Sequence, residues 1–122
     1  MSGISVTCKP MFMEKQSQNQ PGKYIFAYTI RIENTGSLAA QLMTRKWEIL
    51  DEKNDKQQVE GDGVIGEQPR LEPGQSFSYT SGVIIETETG TMEGSYTMRR
   101  DDGSQFDVAI PMFALVPEKM IH

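Results

Sequence analysis

The stretch Tyr24-Ile25-Phe26-Ala27-Tyr28-Thr29-Ile30-Arg31-Ile32-Glu33 decides the fold class. From Tyr24 to Ile32 every second residue is large and apolar. Successive side chains of a strand point to opposite faces, so this period of two predicts a long strand with one buried face. Its first half, with Ile25 and Ala27 between the others, is apolar on both faces. Asn34-Thr35-Gly36-Ser37 closes it as a turn.

The same period recurs on either side. Ile4, Val6 and Cys8 alternate near the start. A second long strand is expected over 40–51, with Trp47 and Ile49 in one phase and Leu42 in the other. One extra residue flips the side-chain phase, so a bulge near 43–45 reconciles them. Asp51 to Lys56 is a charged turn, and 57–59 a short strand. The segment 61–74 holds four Gly and two Pro and is read as loop. Within it Glu72-Pro73-Gly74-Gln75 suits a type II turn. Phe77 and Tyr79 face inward on the next strand, and Val83-Ile84-Ile85 forms a short apolar run after Gly82. Met92, Tyr96 and Met98 share a phase. Arg99 to Ser104 is a hairpin turn of the Asp-Gly kind, and Phe106, Val108 and Ile110 return on one face until Pro111 breaks the strand. The polar segment Lys15 to Gly22 is read as a mobile hairpin loop. No window sustains a helical period. The expectation is a single all-β domain over 1–122, a sandwich of about seven strands of fibronectin-III or immunoglobulin type, with a barrel second. Trp47 suits an immunoglobulin-like sandwich, although the paired cysteines of antibody domains are missing.

Composition bounds the chemistry. The 122 residues carry a net charge of −5, with one Cys and one His. Cys8 alone excludes an internal disulfide and any multi-cysteine metal site within the chain. His122 is the last residue, so a Ser–His–Asp or Cys–His device is not expected. Transition metals prefer imidazole and thiolate. The acidic turn 51–55 lacks the Gly a calcium loop wants at its sixth position, where Lys56 stands. Met11 and Met13 are read as core filler. Glu86 and Glu88 read as a solvated edge. Arg45-Lys46 and Arg99-Arg100 put strand neighbours on opposite faces and form no basic patch, and an acidic chain is a poor nucleic-acid partner. There is no apolar run of membrane-spanning length and no signal-peptide pattern. A cytoplasmic protein with no catalytic residues, cofactor or bound metal is therefore expected.

The loudest motif is Gly61-Asp62-Gly63-Val64-Ile65-Gly66, a G-x-G-x-x-G. As a dinucleotide fingerprint, Gly61, Gly63 and Gly66 would need a helix opening behind them. Pro69 and Pro73 forbid one, and Glu60, Asp62 and Glu67 put negative charge where phosphate would lie. The segment reads better as a tight interstrand loop, with nucleotide or diadenosine-polyphosphate binding as the alternative function. The candidate partner surface is Val64, Ile65, Glu67 and Gln68, an apolar tip with an acidic rim. The competing placement tucks Val64 and Ile65 into the core.

Tyr24 to Ile30, Gly61 to Pro69, Pro73-Gly74, Tyr79-Thr80-Ser81-Gly82, Gly90-Thr91-Met92-Glu93-Gly94-Ser95-Tyr96 and Ile110-Pro111 with Phe113 jointly resemble the ApaG family over nearly the whole chain. One departure is Arg45-Lys46-Trp47, where the family commonly shows Arg-His-Trp; any role resting on that imidazole does not carry over. The resemblance implies a fibronectin-III-like sandwich and no established enzymatic activity. It implies an association with cobalt and magnesium tolerance in bacteria, and a gene neighbourhood including a diadenosine-tetraphosphate hydrolase. In eukaryotes similar domains occur in F-box proteins and a polymerase-delta-interacting protein, as protein-interaction modules. The expected function is thus a protein-binding domain, monomeric or weakly self-associating. Any metal phenotype would be indirect, through a protein partner.

Overall fold

The computed structural model describes residues 3–117. His122 lies outside them. Among the described residues eight strands form two antiparallel sheets. The first sheet has the order β1 (Ile4–Phe12), β2 (Tyr24–Asn34), β6 (Ser76–Ile85). The second runs β4 (Lys56–Asp62), β3 (Ala40–Asp51), β7 (Gly90–Arg100), β8 (Gln105–Leu115), and β5 (Arg70–Leu71) pairs with β3 beside β4. The chain is an all-β, fibronectin-III-like sandwich, as its alternation predicts. Phe26, Tyr28, Ile30 and Ile32 of β2 face Leu42, Trp47, Ile49, Met92, Tyr96 and Met98 across a core that also holds Val83, Ile85, Ile110 and Leu115. Trp47 is its aromatic centre, 5.4 Å from the Tyr28 ring and 6.0 Å from Phe113, both edge-on. Edge-on rings add about 0.5–1.5 kcal/mol per pair to their area burial.

The bulge expected in β3 is present. The β3–β7 register shifts between Leu42 and Thr44, leaving Met43 as the extra residue. That shift lets Leu42 and Trp47, five positions apart, both face the core. The turn Glu72–Gln75 closes by the Gln75 N–H to the Glu72 carbonyl at 2.9 Å.

Four local expectations are corrected. Pro111 does not end β8: the β7–β8 register shifts between Met92 and Gly94, so Pro111 and Met112 form a bulge. β8 is an edge strand, where a missing N–H costs no ladder bond. The loop after β4 contains the short strand β5, which brings the strands to eight. The segment after β1 holds a one-turn helix, α1 (Glu14–Gln18). Ser17 Oγ ties it down, donating to the Met13 carbonyl and accepting from the Ile25 N–H, each at 2.9 Å. Met11 is not core filler, since it lies on the outer phase of β1 and is 65% exposed.

Candidate functional site

The segment from Gly61 to Pro69 leaves the end of β4 and caps one flank of the sandwich. Its path is fixed from both sides. Gly63 has φ +63° and its N–H donates to the carbonyl of the bulged Met43 at 2.8 Å. A Cβ at Gly63 would lie 2.2 Å from the Glu67 carbonyl oxygen, so no other residue fits. Gln68 Nε2 donates to the same Met43 carbonyl at 3.0 Å. Gln41 Nε2 donates to the Gln68 carbonyl at 3.0 Å, and the Leu42 N–H to the Pro69 carbonyl at 2.9 Å.

Between these anchors Val64 and Glu67 exchange two backbone bonds, Val64 N–H to Glu67 O at 2.8 Å and Glu67 N–H to Val64 O at 2.9 Å. The two residues between them have positive φ, +43° at Ile65 and +79° at Gly66. This is a two-residue hairpin with the backbone of a type I′ turn, whose preferred first residue is Asn, Asp or Gly. Ile is among the worst choices there, because its branched Cβ crowds the backbone when φ is positive.

The tip expected from sequence is therefore half right. Ile65 stands out, 58% exposed. Val64 is corrected: it is fully buried and joins the core cluster. Val64 flanks the turn and packs inward, while Ile65, at positive φ within the turn, projects from its tip. Glu67 and Gln68 are exposed beside Ile65.

Arg45 is the residue that sequence reasoning undervalued. In the β3–β7 register it lies opposite Tyr96, on the inner face, while Lys46 points outward and lies 3.5 Å from Glu60. Arg45 Nη1 donates to the carbonyls of Asp62 at 3.2 Å and Gly63 at 2.9 Å. Gly61, paired with Arg45 on β4, leaves room for this: a Cβ there would meet Nη1 at 2.8 Å. The signal was available, since a cation placed in the phase of Trp47 needs acceptors nearby. Arg45 separates two clefts. One of about 160 Å³ lies between Tyr28, Trp47, Val64, Ile65, Tyr79 and Ser81. The other, about 510 Å³ and open, lies on the outer side among Lys46, Glu60, Asp62, Thr97 and Asp107.

Behind the smaller cleft the Tyr79 and Tyr96 hydroxyls share a buried hydrogen bond of 2.5 Å. Burial pushes Tyr79 up to about 12 against the pull of the Tyr96 bond and nearby Arg45, and pushes Tyr96 further up. Both phenols stay protonated near neutral pH. Burial likewise pushes the half-buried Cys8 thiol up, away from thiolate reactivity. Among the described residues no group of three or more His, Cys, Asp or Glu could hold a metal. In the acidic turn, Asp51 Oδ1 already accepts the N–H groups of Lys53 and Asp55 at 2.8 and 3.0 Å. No helix among the described residues is long and apolar enough to cross a membrane.

The glycine segment presents few free donors to a phosphate. The N–H groups of Gly63, Val64 and Glu67 are taken within the chain, and the segment leads into the short strand β5 and not a helix. Gly61, Gly63 and Gly66 serve instead as space for Arg45, the close approach to Glu67 and the second turn residue.

Comparison with known proteins agrees with this architecture. The family model described as the ApaG domain matches residues 14–100. The Protein ApaG of Stenotrophomonas maltophilia is 50% identical over 119 residues, covering 98% of this chain and 94% of that protein. That of Xylella fastidiosa is 47% identical over 121 residues, covering 99% and 95%. A crystal structure named for the ApaA protein of Bordetella pertussis superposes with a TM-score of 0.91 at 42% identity, covering 95% of this chain and 94% of that one. With matches of this extent, the chain belongs to the ApaG family.

Proposed function

We propose that this protein is a non-enzymatic, cytoplasmic interaction domain whose partner is another protein, docking at the Ile65 hairpin. One observation carries the reading: an exposed β-branched side chain is held at φ +43° where an Asn would cost less. Backbone strain of this kind costs about 1–3 kcal/mol and persists where the surroundings enforce it. Here Arg45, Met43 and the reciprocal Val64–Glu67 bonds enforce it. The result is a rigid apolar knob flanked by Glu67 and Gln68, presented without ordering cost on binding. The knob's acidic rim disfavours an acidic partner. A role in cobalt or magnesium tolerance is proposed to run through this partner, because Asp51 and its neighbours are committed to their own turn.

The nucleotide alternative is not adopted, since Gly63 and Val64 spend their N–H groups internally. The test is affinity capture from lysate, quantified for the wild type and Ile65→Asp at equal loading. The expected result is a variant with unchanged far-UV circular dichroism that loses at least one protein the wild type retains. An unchanged set of retained proteins overturns the reading. Calorimetric titration with ATP, diadenosine tetraphosphate, Mg²⁺ and Co²⁺ checks the alternatives; saturable binding of a nucleotide would restore the second one.

A further inference from the structure

Strand β4 is the least covered element of the sandwich. It ends the order of its sheet, and six of its seven residues are exposed. Its backbone phase follows from the two ends of the β3–β4 ladder. The Asp51 N–H donates to Asp55 O at 3.2 Å, and the Gly63 N–H donates to Met43 O at 2.8 Å. Both pairs fit the register that matches Thr44 with Asp62 and Leu50 with Lys56. Hydrogen-bonded pairs alternate along an antiparallel ladder. Gln57, Val59 and Gly61 thus spend their backbone groups on β3, and Lys56, Gln58, Glu60 and Asp62 turn theirs to the open edge. An open edge is a template for another strand.

We infer that the occupant of this edge is β4 of a second copy, paired antiparallel about a two-fold axis through Val59. The register places Lys56 opposite the second copy's Asp62, Gln58 opposite Glu60, and Gln57 opposite Gly61. All four residues with free backbone groups then meet one another, as an added ladder requires. Gln58 and Glu60 exchange both bonds; the Asp62 carbonyl already accepts from Arg45, so the outer pairs keep the Asp62 N–H to Lys56 carbonyl bond. No like charges stand opposite. A shift that centres the axis on Glu60 sets two carboxylates face to face, and one centred on Gly61 sets Glu60 against Asp62. Gln57 Nε2 reaches its own Ile84 carbonyl at 3.4 Å, so the side chain facing the partner's Gly61 is already drawn aside. Val59, 39% exposed, meets its own copy at the axis as the only apolar contact of the new ladder. A seven-residue ladder is a small interface, and the net charge of −5 on each copy opposes approach, so the dimer is weak and forms at high concentration.

The test is sedimentation velocity between about 10 µM and 1 mM at ~0.15 M salt, where exposed charges are screened beyond about 8 Å. The wild type is expected to shift toward dimer with concentration. Lys56→Glu sets Glu opposite Asp62 twice per dimer, and Asp62→Lys sets Lys opposite Lys56 twice. Each alone should weaken association about tenfold or more. An equimolar mixture of the two variants restores complementary pairs on both sides and should dimerise like the wild type. Val59→Cys adds an independent readout. Opposed Cβ atoms of a non-hydrogen-bonded pair lie roughly 4.5–5.5 Å apart, close enough for oxidised glutathione to yield a covalent dimer on a non-reducing gel. The wild type, carrying Cys8, is the control. A wild type monomeric throughout overturns the inference. So do single variants that still dimerise, a mixture that stays monomeric, or a Val59→Cys chain that oxidises no faster than the wild type; a dimer insensitive to these changes uses another surface. Ile65 lies outside this ladder, so the outcome is independent of the partner capture described above.

Discussion

Replacing Ile65 by Asn should make the protein more stable, although it removes an apolar side chain. The gain comes from the backbone. Ile65 has φ +43° and precedes Gly66 at +79°, so Ile65→Asn converts the turn to Asn-Gly, the favoured type I′ pair. Relief of a strained β-branched residue is worth about 1–3 kcal/mol. The loss is hydrophobic. Full burial of an Ile side chain contributes about 1.5–3 kcal/mol, and at 58% exposure under half of that applies, about 1 kcal/mol. The expected net effect is a stabilisation of about 1 kcal/mol, a rise of about 3–5 °C in Tm for a chain of this size. Ile65→Ala supplies the contrast, because it gives up the same contacts and keeps a Cβ at positive φ. It should fall below the wild type by about 1 kcal/mol. Urea unfolding of the three proteins, with coincident fluorescence and circular-dichroism transitions, measures the differences. An Asn variant less stable than the wild type by 1 kcal/mol or more would falsify the strain reading. It would mean that the side chain is held by packing and that the turn is relaxed with Ile in it.

Gly63→Ala should cost about 2 kcal/mol or more in urea unfolding, since φ is +63° and the new methyl would strike the Glu67 carbonyl; a change under 0.5 kcal/mol refutes the tight turn. Absorbance at 295 nm in alkaline titration should show Tyr79 and Tyr96, two of the four tyrosines, ionising only as the chain unfolds. Burial raises both phenols above the unfolded value near 10, so their contribution is complete below pH 10 and is lost as pH rises past it; smooth ionisation of all four in folded protein contradicts this. Asp101 is held below its ordinary value chiefly by the hydrogen bond from Arg70, at 2.6 Å to Oδ2. Its contribution is therefore present above about pH 4 and lost as pH falls through the folded value. The stability gap between wild type and Arg70→Gln should be widest near neutral pH and close in acid; a gap independent of pH removes the ion pair from the explanation.

The long core strands were legible because each carries a period of two, broken only at the bulges of β3 and β8; β4, almost wholly exposed, and the two-residue β5 carry no such signal. Leu42 and Trp47 even disclosed the bulge between them, since two apolar phases in one strand leave few other solutions. Pro111 misled because a missing N–H forbids a residue only from a central ladder, and alternation does not say which strands are edges. The glycine segment misled more deeply. Type I′ hairpins announce themselves by Asn-Gly or Asp-Gly, and here the first turn position is Ile65. The turn is local strain imposed by distant contacts, from Arg45 and the Met43 carbonyl, which no window of neighbouring residues contains. Arg45 itself was legible in phase, two positions from Trp47, but its acceptors lie seventeen and eighteen residues away.

The Met43 bulge connects the core to the surface knob. Were Met43 paired in a regular ladder, Leu42 and Trp47, five positions apart, would face opposite sides and one of them would leave the core. With the bulge, the ladder is interrupted and the Met43 carbonyl is turned toward the open flank of β3, where it accepts from both the Gly63 N–H and Gln68 Nε2. Arg45, two positions before Trp47, shares its inward phase, and β7 supplies Tyr96 opposite it. A guanidinium there needs oxygen acceptors, and the buried phenols already satisfy each other. The acceptors left are backbone carbonyls, which Asp62 and Gly63 provide. Holding those two carbonyls fixes the direction in which the chain leaves β4, and the reciprocal Val64–Glu67 bonds then return it within two residues. Val64 drops into the core and Ile65 has nowhere to go but out. One inserted residue in β3 thus satisfies the hydrophobic phase and anchors both ends of the strained tip, which Arg45 holds from the inner face. The tip's rigidity is a property of the core, and a partner docking at Ile65, as proposed, would read a shape maintained by residues it never touches.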